Sequence, residues 1–149
     1  SYTMKEKKPT RVKCFSFHYE SGFLIATLPS GRQLFYAKPR IMRNEYDRDT
    51  LTYEGVGAGK RWERIESYGP KIVENLTQAL CRDLLAEAMQ RLSNDGYKIV
   101  MHVHDEVVIE APIDTDVDTV CKIMSQTPSW ATGLILNAAG YECMFYQKD

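Results

Sequence analysis

Apolar and polar residues alternate with a period of two through the first third of the chain, and the period then shifts toward 3.6. Residues 12–19 (Val-Lys-Cys-Phe-Ser-Phe-His-Tyr) alternate as a half-buried strand does, Glu20-Ser-Gly22 is turn chemistry, and 23–28 is apolar again. Pro29-Ser-Gly31 turns into a further strand at 32–36, which makes the region a meander of short strands. The stretch 43–59 is polar and Gly-rich, with a strand predicted at 51–53 and another over 60–67. A basic lead-in over 5–13 has no periodicity.

A long helix is predicted over 70–93. Pro70 suits the first turn, where its missing N–H would have had no partner, and Asn94-Asp95-Gly96 supplies the stop. On its wheel Lys71, Asn75, Gln78 and Arg82 share one narrow sector, a stripe of hydrogen-bonding side chains. Leu85 and Met89 continue that azimuth, so the later half is expected to be buried nearly all round. Residues 97–110 form a predicted hairpin, with His104 and Asp105 near its tip. A second helix is predicted over 114–125, and a closing strand over 141–146.

The hairpin carries the chemistry. Asp105 and Glu106 are adjacent carboxylates set among Ile99, Val100, Met101, Val103, Val107, Val108 and Ile109. Buried there, they would suffer desolvation and mutual repulsion unless a divalent cation or strong donors compensated. His102 and His104 on one strand would point to the same face, as in cupin-type metal barrels, but the Glu such sites need is replaced by Val108 and Ile109. Asp114-Thr-Asp-Val-Asp118 has acidic spacing without the Gly and Glu of a calcium loop, so it is predicted as a capped helix start.

Composition adds bounds. With 149 residues, 44% hydrophobic and 26% charged, the chain is expected to form one globular core of α+β class. No apolar run approaches the roughly 20 residues of a membrane span. The basic amino terminus lacks a following apolar core, so a cytoplasmic chain without leader or membrane partner is expected. Cys14, Cys81, Cys121 and Cys143 have no CxxC spacing and are predicted as buried thiols. The net charge of −1 hides an asymmetry: residues 1–64 hold 13 Lys or Arg against 7 Asp or Glu, and residues 65–149 hold 6 against 13. One half suits phosphates and the other cations.

The His104-Asp105-Glu106 hairpin resembles the palm carboxylate motif of family A DNA polymerases, the DNA polymerase I type. Gln78 with Asp83 resembles that family's palm helix. Leu28-Pro-Ser-Gly-Arg32, Lys38-Pro-Arg-Ile41, Tyr68-Gly-Pro-Lys71 and Ser129-Trp-Ala131 are similar to phage and prophage members. The resemblance runs in order from about Phe17 to Tyr146, with the string 84–110 its most specific part, and departs where Glu74 stands in place of the family's Asn, one residue before Asn75.

The resemblance implies a carboxy-terminal part of a polymerase palm domain over 1–149, with core palm over 68–149 and a small β appendage over 12–54. Its α+β fold would be an antiparallel palm-type sheet centred on the hairpin and packed by the long helix and the shorter one. The implied activity is DNA-directed DNA synthesis, template-directed nucleotidyl transfer by a two-metal mechanism. Asp105 would be a direct Mg²⁺ ligand, Glu106 an auxiliary acid at the metals and His104 a neighbour of the primer terminus. Lys71, Asn75, Gln78 and Arg82 would contact the minor groove and phosphates. Neither the family's first palm aspartate nor its fingers helix is found in residues 1–64. The chain alone is therefore expected to be inactive and to hold Mg²⁺ weakly or not at all. Its partners would be primer-template DNA, the remaining polymerase segments, a dNTP only with those segments, and a second copy in a homodimer. The alternative is a non-catalytic fold fragment or a DNA-binding or interaction module from a split or degenerate polymerase gene.

Overall fold

A computed structural model describes residues 2–146. The chain forms two compact units, one ending at Gln78 and the other beginning at Ala79. Its class is α+β.

The first unit begins with a short helix α1 (Tyr2–Glu6) that the basic lead-in did not announce. Six strands follow: β1 (Thr10–Val12), β2 (Phe15–Glu20), β3 (Phe23–Thr27), β4 (Gln33–Arg43), β5 (Asp49–Val56) and β6 (Trp62–Ser67). Each pairs antiparallel with its sequence neighbour, in the order β1-β2-β3-β4-β5-β6. The alternation predicted strands here, and the meander is larger than an appendage over 12–54. Strand β4 runs on through Lys38-Pro39, where the register with β5 shifts between Ala37 and Arg40. A proline within a sheet is accommodated at such a bulge, which is why the sequence suggested an earlier end.

One face of this sheet carries the core. Leu24, Ala26 and Tyr36 are buried with Leu76, and Phe15, Phe17, Leu34, Leu51, Tyr53, Met4 and Ile72 pack around them. The Tyr36 and Tyr53 rings meet edge to face at 5.0 Å. Ile72 and Leu76 come from the first turns of helix α2 (Gly69–Asn94), one helical turn apart. Burying a leucine such as Leu24 or Leu76 contributes about 1.5–3 kcal/mol.

The second unit contains the rest of α2, the hairpin β7 (Lys98–Val103) and β8 (Glu106–Glu110), helix α3 (Val117–Met124) and a 3-10 turn at Ser129–Ala131. Leu85, Ala88 and Leu92 of α2 and Ile123 of α3 are its buried apolar residues, Leu92 at 0% exposure. The stop at the end of α2 forms as predicted. Gly96 takes φ 89°, and the N–H groups of Gly96 and Tyr97 donate to the carbonyls of Ser93 and Leu92. This is a Schellman closure, which glycine adopts without a Cβ penalty. At α3 the Asp116 side chain accepts from the N–H groups of Asp118 and Thr119, so the acidic run is a helix cap as expected.

Four expectations fail here. Residues 141–146 form no strand. The later half of α2 is not buried all round, because Ala86, Gln90 and Ser93 are exposed; Leu85 and Met89 turn one side inward only. The cysteines are not buried thiols: Cys14, Cys81 and Cys143 are exposed and Cys121 is half-buried. The hairpin is a two-stranded sheet of its own, separate from the six-stranded sheet. Among the described residues no helix is long and apolar enough to cross a membrane.

Candidate functional site

The tip of the β7–β8 hairpin is built by a two-residue connection. Val103 pairs with Glu106, which leaves His104 and Asp105 as the loop. His104 takes φ 51°, in the left-handed region that short hairpin turns require of a central residue. Six other non-glycine residues in the described chain share that sign of φ, so the conformation marks a turn and by itself no active site. Because His104 lies in the loop and His102 in the strand, opposite Val107, the two imidazoles do not form the same-face pair that strict alternation suggested.

Asp105 and Glu106 are exposed, as are His102 and His104. The expectation of carboxylates buried among apolar side chains is therefore corrected: the β-branched residues line the strands, while the acids stand beyond them in solvent. Sequence alternation located the tip but could not show whether anything covers it. At the open end of the hairpin Lys98 and Glu110 pair at 2.8 Å, both exposed, and such pairs contribute little. The Tyr146 hydroxyl donates to Glu106 at 3.5 Å, an approach that no sequence pattern signalled. Register slips at Val100, between the Ile99–Ile109 and Met101–Val108 pairs. Val100 is left 52% exposed.

Mg²⁺ demands a near-octahedral set of oxygen ligands. Among the described residues no group of three or more His, Cys, Asp or Glu side chains comes together in a way that could hold a metal ion. Asp105 and Glu106 are at most part of such a set, and these residues do not by themselves fit a metal centre.

On α2, Lys71, Gln78 and Arg82 are exposed and Asn75 is half-buried. The side chains of Gln78 and Arg82 make no hydrogen bond or ion pair among the described residues, whereas the Lys71 side chain donates to Glu74 at 3.0 Å. That contact, with its charge attraction, raises the Lys71 pKa. Asn75 turns toward the sheet and approaches the Tyr36 hydroxyl, whose pKa is raised chiefly by burial and lowered by that neighbour. The approach falls short of a formed hydrogen bond, and the hydroxyl has no partner among the described residues. Asn75 therefore belongs to the sheet's surroundings more than to the open stripe.

A network missed by sequence reasoning lies in the second unit. Arg91 donates to the carbonyls of Ile123 at 3.3 Å and Gln126 at 2.8 Å, just where α3 ends. Glu87, four residues before Arg91, accepts from the Trp130 indole at 2.6 Å. The i,i+4 spacing of Glu87 and Arg91 was legible, but their distant partners were not.

No protein-family model matches this chain, and no solved structure matches it. The chain is 47% identical over 149 residues to a protein of Bacillus phage SP02 named DNA polymerase, an alignment covering 98% of this chain and 23% of the phage protein. The chain thus spans about a quarter of the length of that relative.

Proposed function

We propose that this chain is part of a DNA-directed DNA polymerase of family A, contributing a carboxy-terminal portion of its palm. The observation that carries the proposal is the 47% identity to a phage DNA polymerase across nearly the whole chain. The exposed carboxylates at a tight hairpin tip support it, because acids that serve a shared site have to stand clear of their own hydrophobic strands. In this reading Asp105 is the acid that meets a metal, with Glu106 as auxiliary and His104 beside the primer end. Further ligands come from outside these residues. Gln78 and Arg82, exposed and uncommitted, offer a donor to groove acceptors and a charge to phosphates. Acceptors in the minor groove occur on every base pair and so permit contact without sequence preference. Lys71 adds a second cation. Partners are primer-template DNA and the remaining polymerase segments, and the 149 residues alone are inactive.

A chimaera tests this. The chain replaces the corresponding 23% of the phage polymerase, and primer extension is measured. Template-directed extension is expected, with Asp105→Ala in the same chimaera reducing turnover by about a thousandfold or more, a loss of roughly 4 kcal/mol in transition-state stabilisation. A folded but inactive chimaera counts against the polymerase reading. An active one that tolerates Asp105→Ala counts against the assigned site.

A further inference from the structure

In an antiparallel meander every second turn lies at the same end of the sheet. In the first unit the turns after β1, β3 and β5 share one end and contain Lys13, Arg32, Lys60 and Arg61, with no Asp or Glu. The turns after β2 and β4 share the other end, where Glu45 and Asp47 lie with Arg48, and Glu20, Arg43 and Asp49 stand at the adjoining strand ends, Arg43 pairing with Asp47 at 2.8 Å. Lys13, Lys60 and Arg61 form no ion pair among the described residues. The nearest acid to this basic end is Glu63, whose side chain lies against Gly57.

Beside this end, on the sheet face opposite the core, the exposed rings of Phe35 and Trp62 stand in a row across the strands with aliphatic side chains between and beside them, of which Ile25 is buried at 6%. His18 pairs with Ile25, and Ile25 pairs with Phe35. Two residues along from the Ala37–Glu54 pair, Phe35 stands level with Val56, and Val56 pairs with Trp62. Phe35 is 57% exposed, and Val56 and Trp62 are each 64% exposed. Phe23 meets Phe35 edge to face at 6.0 Å and extends the strip. The acids on this face are largely engaged. Glu54 is held by Lys38 at 2.8 Å and Arg64 at 3.1 Å and accepts from the Trp62 indole N–H at 3.3 Å, Glu20 approaches His18 at 3.5 Å, and Glu66 lies farther along β6.

We propose that this face is a binding platform for single-stranded nucleic acid. Open aromatic rings on a sheet stack with bases, and adjacent cations neutralise the phosphates between them. A duplex hides its base faces, so rings presented in this way select an unpaired strand. Charge agrees, since residues 1–78 hold 14 Lys or Arg against 9 Asp or Glu. The polymerase reading supports only the choice of a polynucleotide as ligand; the surface itself is distinct from the α2 stripe and the hairpin tip.

The test uses the whole 149-residue chain with a fluorescein-labelled oligothymidylate of about twenty nucleotides, read by anisotropy and by quenching of tryptophan emission. Binding at low salt is expected, with a log–log salt slope of about −2 to −3 for three or four neutralised phosphates. Phe35→Ala/Trp62→Ala should weaken binding about tenfold for each ring, while Phe35→Tyr/Trp62→Phe retains most of it. Lys60→Ala/Arg61→Ala should flatten the slope by about 1.4. Both rings are exposed, so circular dichroism should show unchanged folding in every variant. Absence of binding, or binding untouched by Phe35→Ala/Trp62→Ala, overturns the proposal. So does a dimer that this double variant dissociates without altering oligonucleotide affinity, because the strip would then be an interface between copies. An active chimaera combined with any of these results removes the platform and leaves the polymerase reading standing; strand binding by this face with an inactive chimaera does the reverse.

Discussion

The six-stranded sheet and the β7–β8 hairpin are both antiparallel and both carry runs of apolar, largely β-branched residues, yet one has its own core and the other does not. In the sheet, Leu24, Ala26 and Tyr36 alternate inward beneath Leu76 of α2. In the hairpin Val100 and Met101 are exposed and none of its residues is buried. Two strands alone are marginal in water, and a hydrophobic face becomes stabilising only when something covers it. Similar strand composition therefore has different energetic meaning in the two places.

The largest effect expected from breaking the contrast is in the sheet. Leu24→Ala should cost about 2–5 kcal/mol in urea unfolding, whereas Val100→Ala in the hairpin should stay within about 0.5 kcal/mol. Equal losses would mean that the hairpin is packed as firmly as the sheet. Next comes the tie at the end of α3: Arg91→Ala removes the guanidinium donor from the Gln126 carbonyl and leaves the Ile123 carbonyl with only the Gln126 N–H at 3.4 Å, and should cost about 1–2 kcal/mol by the same measurement.

Acid titration sharpens the comparison further. Hydrogen bonding and charge from Lys5 lower the Asp49 pKa, Lys38 with Trp62 does the same for Glu54, and the Thr119 hydroxyl does so for Asp116. A carboxyl lowered in the folded state contributes stability that is complete above its unfolded value, near 4, and is lost as pH falls through the folded value. Thermal melts from pH 6 to pH 2 should therefore show a declining midpoint, with the decline reduced in Asp116→Asn and Glu54→Gln. A flat profile in the parent chain would refute these contributions. The smallest change is expected at the tip: Asp105→Ala removes repulsion with Glu106 from an exposed site and should leave the melting temperature unchanged or slightly raised. Sedimentation at micromolar concentration adds a last check, since exposed Val100, Ile113, Ile135, Met144 and Phe145 should promote self-association. A clean monomer would contradict that.

Periodicity made most of the fold legible. It marked β2, β3, the start of β4, α2, the hairpin and the capped start of α3, because each carries a local signal in its own residues. It missed α1, which is too short to show a period, and the continuation of β4 through Pro39, which depends on a bulge. It suggested a closing strand at 141–146, where no partner strand is present to pair with it among the described residues. At the candidate site it located His104, Asp105 and Glu106 on a turn, but their exposure depends on what surrounds the hairpin. The expected burial of Cys14, Cys81 and Cys143 failed because exposure is set by what packs over a residue, which no local pattern records.

The neighbour-to-neighbour strand order of the meander bears on how the chain acquires its structure. Every pairing from β1 to β6 closes a short stretch of chain, so little loop entropy is lost before each contact forms. The sheet can assemble hairpin by hairpin in the order of synthesis. Its core is complete once Leu76 has emerged, before the hairpin bearing Asp105 exists.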